Sequence, residues 1–230
     1  MMAATELRVQ RVAAPVRQQV YEQLKRAIVG NHFDVGQRLT ERELTELLGV
    51  SRPTIREALQ QLVAEDLVTM VPGKGWVVAS LSPEQARDLY DVRALLEGLA
   101  ARRFVERATP QDFAALKAAM RNIEATLSSS ADVTDRVHAK DVFYDVLFRG
   151  ARSDSIVTLI TTLHARISAL RARSLMQPGR TEQTIRELRG IVKCILAKDA
   201  DAAERASAEH VRMAALALFG GEAGAARRTD

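Results

Sequence analysis

The sequence predicts a mainly α-helical protein with an N-terminal winged helix-turn-helix and a C-terminal antiparallel bundle of six to seven helices. Three observations lead to this fold class. Two short amphipathic segments meet at a sharp turn between residues 40 and 67, two β-rich runs flank the tetrapeptide PGKG, and a helical period then continues to Phe219. The expected domains are residues 1–80 and 81–220, and residues 221–230 are expected to form a flexible tail.

The chain is expected to begin with a weakly ordered leader over residues 1–12. An amphipathic helix should follow from Pro15 and end at Gly30. Its apolar residues recur at helical spacing and should form its buried face: Val16, Val20, Leu24 and Ile28.

The segment from Thr40 to Leu67 predicts two helices joined by a short turn, which is a helix-turn-helix. Thr40 is an N-cap residue with Glu43 three positions later, so the first helix should start there and end at Gly49. Ser51 then caps a second helix, in whose first turn a proline is tolerated because those amides have no intrahelical partner.

The second helix carries an apolar and a polar stripe. The apolar stripe follows helical spacing and should be buried: Ile55, Ala58, Leu59, Leu62 and Val63. The polar stripe consists of Arg52, Arg56 and Gln60, with Ser51 and Thr54 at the N-terminal turn. Guanidinium and hydroxyl groups in this position are typical of a DNA-recognition helix, although the two arginines could also be an ordinary solvated face.

The run VTMVPGKGWVVAS after this helix predicts a β-hairpin with Lys74 at its tip. A hairpin beside a recognition helix is a wing, and its lysine is placed to contact a phosphate. The helix, its cap, the preceding helix and the wing occur in one order, which favours DNA binding over the solvated-face interpretation.

At these residues the chain resembles the GntR family of bacterial transcription regulators, over GNHFDVGQRLTERELTELLGVSRPTIREALQQLVAEDLVTMVPGKGWVV. The resemblance implies that the matching positions contact double-stranded operator DNA: Arg42, Ser51, Arg52, Thr54, Arg56 and Gly73.

Composition sets further limits. The net charge is +4, but residues 1–80 hold ten Lys and Arg against nine Asp and Glu, so DNA affinity must depend on where individual cations lie. Cys194 is the only cysteine, which excludes an intramolecular disulfide and a thiolate zinc finger. We find no signal sequence and no run of 18 apolar residues, and therefore expect a cytoplasmic, nucleoid-associated protein with no membrane partner.

The second half predicts helices near residues 83–107, 110–127, 132–149, 153–174, 181–197 and 199–219. A winged helix-turn-helix followed by such a bundle resembles the FadR subfamily of GntR regulators. Shorter traces support this: LYDVRALLEGLAA, DVFYDVLFRGARSDSI and AKDADAAERASAEHV.

In many members of that subfamily one aspartate and three histidines hold a divalent metal on which a carboxylate effector rests. Asp141 and His210 match this pattern, whereas Asp145 and Leu188 stand where the family has histidines. Asp141 and Asp145 are four apart and can share a helix face, so with His210 they could still bind one divalent ion. A metal-free polar pocket and the absence of any small-molecule site remain the alternatives.

Arg93 lies where the subfamily often has a residue near its ligand, and an inward arginine would suit a carboxylate. It could equally pair with Glu97 one helical turn away. His138 and His164 could also reach the pocket, although either could be a packing or surface residue. We therefore expect effector binding by Arg93, Asp141, Asp145 and His210.

The sequence thus predicts a ligand-responsive DNA-binding homodimer without catalytic activity, most simply a repressor of a metabolic operon released by a small organic acid. A metal-dependent hydrolase and a purely architectural DNA-binding dimer are the alternatives. A hydrolase is disfavoured because no positioned nucleophile, phosphate-binding glycine loop or complete ligand set occurs.

Overall fold

The structure, a computed structural model, describes residues 16–30, 32–129 and 131–226, with side chains up to Phe219. The leader expected over residues 1–12 and the last four residues of the expected tail lie outside this range. Within it the protein is mainly helical with one small antiparallel sheet, which confirms the predicted fold class.

In the described residues of the N-terminal part, the structure has three helices and three strands. Their bounds are α1 Val16–Val29, β1 Arg38–Leu39, α2 Glu41–Leu48, α3 Arg52–Ala64, β2 Val68–Val71 and β3 Gly75–Val78. The sheet order is β1-β3-β2, and both pairings are antiparallel. The hairpin β2–β3 is the predicted wing. Strand β1 was not predicted, because its two residues are extended only through pairing with the distant β3.

The predicted caps are confirmed. Thr40 Oγ1 accepts a hydrogen bond from the Glu43 amide at 3.2 Å, and Gly49 ends α2 with a φ of 66°. Ser51 Oγ accepts from the Thr54 amide at 3.5 Å, which starts α3 one residue before Pro53. These caps satisfy amides that have no intrahelical partner and fix the short turn between the two helices.

The core of this part forms where the apolar faces of α1 and α3 meet the sheet. Its fully buried members include Leu24, Ile55, Ala58, Leu59 and Leu62. The prediction that Val16 is buried was wrong: its relative exposure is 57%. Val16 is the first residue of α1. Val63, also expected to be buried, is only half-buried.

Six helices form the bundle: α4 Pro83–Arg107, α5 Pro110–Leu127, α6 Val133–Gly150, α7 Asp154–Leu175, α8 Arg180–Leu196 and α9 Ala200–Ala226. Five of them match the predicted bounds within one residue. Ser82 and Thr109 form capping boxes that fix the starts of α4 and α5. Helix α9 continues to Ala226 instead of ending at Phe219, and so extends into the expected tail.

The bundle centres on α4, which packs along α9. A Cβ added at Gly98 would lie 3.2 Å from the Glu204 carbonyl oxygen, so a glycine there lets the two helices approach closely. Helix α7 also contacts the N-terminal part, because Ala165 belongs to the N-terminal core and Arg166 pairs with Asp66 at 3.4 Å. Among the described residues, no helix is long and apolar enough to cross a membrane.

Candidate functional site

Helix α3 turns its polar stripe outward, as predicted. Ser51, Arg52, Arg56 and Gln60 are exposed, and Thr54 is half-buried with its hydroxyl 2.9 Å from that of Ser51. Arg52 acts on Glu41 through its charge, but neither a hydrogen bond nor a salt bridge to another described residue fixes its guanidinium. Its guanidinium is therefore available for a bidentate contact with a base edge.

Arg56 is held by a neighbour on α2. Its Nε and one terminal nitrogen each donate to a Glu41 carboxylate oxygen at 2.9 Å, and the Trp76 indole donates to the same carboxylate at 3.4 Å. The hydrogen bond from Arg56 is the main reason that the pKa of Glu41 lies below its usual value. Arg56 thus joins α3 to α2 and, through Glu41, to the wing.

Arg42 and the wing tip complete the exposed surface. Arg42 lies at the start of α2 and forms an exposed pair with Glu46 at 3.6 Å. Lys74 is exposed in the turn between β2 and β3, where Gly73 has a φ of 76° that favours glycine. The surface therefore presents cations on α2, α3 and the wing beside the N-terminus of α3, a suitable combination for binding phosphates and base edges.

The bundle interior contains a group of charged side chains that we call the buried charge network. Its members come from α4, α6, α7, α8 and α9: Arg93, Glu97, Lys140, Asp141, Arg171, Arg180, Glu187 and His210. Burying charge is costly unless it is paired, so the pairing within this network is informative.

Arg93 and Glu97 form the part of the network on α4. Arg93 is 1% exposed and its Nε donates to Glu97 Oε1 at 3.1 Å, while its guanidinium carbon lies 4.8 Å from the centre of the Tyr90 ring. Both terminal nitrogens of Arg93 are buried, and neither makes a hydrogen bond of normal geometry to another described residue. Arg93 therefore points into the bundle and pairs with Glu97. Its role in binding an effector remains a prediction.

Arg171 on α7 connects Glu97 to Asp141. It donates to Asp141 Oδ1 at 2.6 Å and to Glu97 Oε1 at 3.4 Å, and it lies over the Tyr144 ring at 4.0 Å. Although burial opposes ionisation, the charges of Arg93 and Arg171 hold the pKa of Glu97 below its usual value. Asp141 is thus occupied by Arg171 at the edge of the network.

His210 on α9 is fully buried between Glu187 and Lys140. Its Nδ1 lies 2.5 Å from Glu187 Oε2, and Arg180 donates two hydrogen bonds to the same carboxylate at 2.8 and 2.9 Å. Burial lowers the pKa of His210 to about 4, so at neutral pH the imidazole is uncharged. Burial opposes ionisation of Glu187, but hydrogen bonds from His210 and Arg180 lower its pKa to about 2. Neutral His210 therefore donates a hydrogen bond from Nδ1 to Glu187, and its Nε2 lone pair points towards Lys140.

Lys140 on α6 lies on the Nε2 side of His210. It is 2% exposed, its Nζ is 3.5 Å from His210 Nε2, and no salt bridge joins it to a carboxylate of the described residues. Burial, followed by the nearby charges of Arg171, Arg93 and Arg180, lowers the pKa of Lys140 well below its usual value. Within the described network, each of the three arginines therefore has a carboxylate partner and Lys140 has none, so the charged form of Lys140 lacks a counterion there.

The structure does not bring together Asp141, Asp145 and His210, which the sequence analysis grouped as candidate metal ligands. Asp145 faces solvent with a side-chain exposure of 56% and pairs with Arg149 at 3.0 Å, whereas His210 is fully enclosed. The residues four apart on α6 that are buried with His210 are Lys140 and Tyr144. In the part of the chain that the structure describes, no three His, Cys, Asp or Glu side chains are placed to hold a metal ion. A divalent cation in this position would also meet Lys140 and three guanidinium groups, so these residues do not fit one.

His138 and His164 lie outside the network. Both line an open cleft of about 320 Å³ between α6 and α7, together with Asp141 and Asp145. His164 Nε2 is 3.8 Å from Asp141 Oδ2. Burial lowers the pKa of His164. These histidines therefore lie beside Asp141 and not inside the bundle.

Sequence reasoning did not identify Lys140, Arg171, Arg180 or Glu187. A signal was present for the first two, because each occupies an apolar position of an amphipathic helix. Lys140 lies between the buried Val137 and Tyr144, and Arg171 follows Ile167 at a spacing of four. A charge on the apolar face of a helix needs a partner from another helix, and that pattern marks a buried polar site.

Comparison with known proteins identifies both parts of the chain. Residues 16–78 match the family described as bacterial regulatory proteins, gntR family, and residues 88–213 match the FCD domain. HTH-type transcriptional regulator YdhC of Bacillus subtilis (strain 168) is 26% identical over 191 residues, which cover 83% of this chain and 85% of YdhC.

Two further relatives have names that state a regulatory role. HTH-type transcriptional repressor RspR of Escherichia coli (strain K12) is 27% identical over 86% of each chain. The Nta operon transcriptional regulator of Aminobacter aminovorans is 31% identical over 60% of this chain and 65% of its own length. Among solved structures, E. coli McbR/YncC has a TM-score of 0.76 at 21% identity, covering 91% of this chain and 100% of McbR/YncC, which shows a shared fold.

Proposed function

This chain belongs to the GntR family of bacterial regulatory proteins and carries an FCD domain. We propose that it is a ligand-responsive repressor of a metabolic operon and that a small organic acid releases it from DNA. DNA binding and transcription regulation are common to the family. The repressor role and the nature of the effector are the parts that we add.

One observation carries the choice of effector. Arg93 is buried with both terminal nitrogens unpartnered, and leaving such donors unsatisfied costs about 1–3 kcal/mol or more for a charged group. A carboxylate is the ligand that a guanidinium fork accepts best. The excess of cationic over acidic side chains around it also favours an anion, and makes a neutral or cationic effector unfavourable.

The same observation argues against the alternatives. A dimer that serves only DNA architecture has no use for an incompletely satisfied buried arginine beside His210. A hydrolase would need a metal or a positioned nucleophile, and the network supplies neither from its carboxylates, which are bound by Arg93, Arg171 and Arg180.

We further propose that the protein acts as a homodimer on a pseudo-palindromic operator. A single recognition helix reads only a few base pairs, and twofold symmetry is the usual way to lengthen the site. The bundle carries large exposed apolar side chains, including Leu95 at 73% and Leu216 at 60%, and we expect it to hold most of the dimer contacts. We expect the protein to act in the cytoplasm.

The test measures whether a small organic acid releases the protein from its operator DNA. Operator fragments are first selected from random-sequence DNA, and binding is then measured by fluorescence anisotropy with formate, acetate, lactate, malonate or citrate at constant ionic strength. We expect at least one acid to weaken operator binding by tenfold or more, and Arg93→Gln to abolish this response while keeping DNA affinity. Arg149→Gln is the matched control, because Arg149 is 75% exposed. An amine or a sugar that releases the DNA, with no response to any acid, would refute the proposal.

A further inference from the structure

We propose that Lys140 is the central cation of the effector site, and that its ammonium group binds the carboxylate of the effector directly, without a metal ion. This inference rests on the proposed function and names the group that contacts the ligand beside Arg93.

The first support is the placement of Lys140 on α6. Lys140 and Tyr144 are one helical turn apart, both are at most 2% exposed, and Lys140 Nζ approaches His210 Nε2 to 3.5 Å. Asp141 and Asp145 follow each of them by one residue and are therefore rotated by about 100° around the helix axis. Asp141 accordingly meets Arg171 at the edge of the bundle, and Asp145 meets solvent.

The second support is the state of His210. Its Nδ1 hydrogen is directed at Glu187, so its lone pair lies on Nε2, the atom with which an imidazole would bind a metal. That lone pair faces Lys140. A donor group from Lys140 satisfies Nε2 and occupies the place in which a metal ion would have to sit.

The third support is the missing negative charge. Each guanidinium of the network has a carboxylate partner: Arg93 has Glu97, Arg171 has Asp141, and Arg180 has Glu187. Lys140 forms no salt bridge with a carboxylate of the described residues: its hydrogen-bonding neighbour is the uncharged His210, and Glu97 acts on it only through longer-range charge. An ammonium group without an anion in a dry interior is strongly unfavourable, and a bound carboxylate removes that penalty.

The fourth support comes from Arg93 on α4. Its two terminal nitrogens have no hydrogen-bond partner among the described residues, and its positive charge is near enough to lower the pKa of Lys140. Two cationic groups from two helices, both fully buried, thus have unused donors in one region of the bundle. One carboxylate can accept from both, which holds a small organic acid by one end and links α4 to α6.

The experiment measures ligand stabilisation in the full-length protein. Melting temperatures are recorded with sodium formate, acetate, lactate, malonate and citrate, each with and without EDTA and at constant ionic strength. We expect at least one acid to raise the melting temperature of the wild type by about 4 °C or more, equally with and without EDTA. Elemental analysis of protein purified without chelator or nickel column should find less than one metal ion per ten chains.

The variant Lys140→Met should lose the rise and bind the responding acid at least tenfold more weakly by calorimetry. It should fold, because an apolar residue of similar length replaces an unpaired buried cation. Lys117→Met, at an exposed position of α5, is the control and should keep the full response.

The other outcomes separate the two proposals. If Lys140→Met keeps the response while Arg93→Gln loses it, or if EDTA abolishes the response, the role of Lys140 is refuted and the effector function stands. If the wild type responds to none of the acids, both proposals fail.

Discussion

At the scale of single residues, the unusual feature is how many ionisable side chains the bundle encloses. Arg93 and Glu97 are at most 1% exposed and Arg171 is 3% exposed, so each depends on the others for its charge. Removing one partner of such a pair costs about 3–5 kcal/mol, because the remaining charge is left buried and uncompensated. The network therefore links five helices, α4, α6, α7, α8 and α9, through paired charges.

The first prediction concerns pH. His210, with its pKa lowered to about 4, stays neutral when folded but takes up a proton below its usual value of 6.5 when unfolded, so stability is lost as pH falls from 6.5 to 4. Glu187 adds a loss of stability as pH falls from 4.5 to 2, because its pKa of about 2 keeps it ionised in the folded protein while it takes up a proton in the unfolded chain. The free energy of unfolding, measured by urea titration, should fall by about 1.4 kcal/mol per pH unit for each such group.

The variants for this measurement are His210→Gln and His138→Gln. The first should be less stable at neutral pH but lose less stability between pH 6.5 and 4 than the wild type, since the buried imidazole is gone. The second removes an exposed histidine and should keep the wild-type slope. Equal slopes in the wild type and His210→Gln would contradict the assignment.

The second prediction concerns DNA recognition by Arg52. Its guanidinium is exposed and is held by no hydrogen bond or salt bridge from a described side chain, although its charge acts on Glu41. We therefore expect it to contact a guanine, and Arg52→Ala should weaken operator binding by about 1–3 kcal/mol. Lys74→Ala should instead weaken operator and random DNA alike and lower the salt slope by about 1, as expected of a phosphate contact. Equal losses on both DNAs for Arg52→Ala would show that it contacts only the backbone.

Arg56 requires a separate control, because its guanidinium group is hydrogen-bonded to the Glu41 carboxylate. We expect Arg56→Ala to weaken operator binding by about 1–3 kcal/mol if this guanidinium also reaches a base in the complex. Glu41→Gln removes the acidic partner while keeping Arg56. If Arg56 acts only by joining α2 and α3, both variants should weaken binding similarly; if it contacts DNA, Glu41→Gln should be the milder change.

At the scale of helices, α4 and α6 approach closely at Gly150, the last residue of α6. A Cβ at this position would overlap the ring of Phe104, which is fully buried on α4. Because this ring is buried in a close-packed core, a side chain at position 150 would displace it, so the glycine serves packing and not backbone freedom.

The third prediction compares two glycines in helices. Gly150→Ala should destabilise the protein by about 1–3 kcal/mol through overpacking. Gly190→Ala in α8, where a new Cβ has no neighbour within 4 Å, should stabilise it by about 0.5–1 kcal/mol through backbone entropy alone. Both are measured by urea unfolding, and a destabilised Gly190→Ala would show that α8 packs more closely than described.

At the scale of the whole molecule, α7 joins the two parts of the protein. Its Ala165 is 3% exposed within the N-terminal core, and Arg171, less than two turns further along, binds Glu97 and Asp141 in the network. A ligand that changes the position of Arg171 therefore acts on the same rigid helix that contacts the DNA-binding part. Binding of the proposed effector would thus be coupled to the N-terminal part through the contacts of α7 with α1 and Asp66.

The fourth prediction concerns assembly. Sedimentation of the full chain should give a dimer, and saturation of a selected operator should require two chains per duplex. An operator cut to one half-site should bind at least tenfold more weakly than the full site. A protein that sediments as a monomer and binds one half-site with full affinity would contradict this.

The sequence alone was sufficient for the fold class, the family and nearly all helix bounds, because caps such as Thr40, Ser51, Ser82 and Thr109 and the apolar period are local signals. It also placed the polar stripe of α3 on the surface. What it could not supply was the set of side chains facing His210. A shift of one residue along α6 exchanges Asp141 and Asp145 for Lys140 and Tyr144, and thereby changes a metal site into a cationic one. Only tertiary packing decides that choice, because the rotation of a helix in a bundle is set by its contacts with other helices.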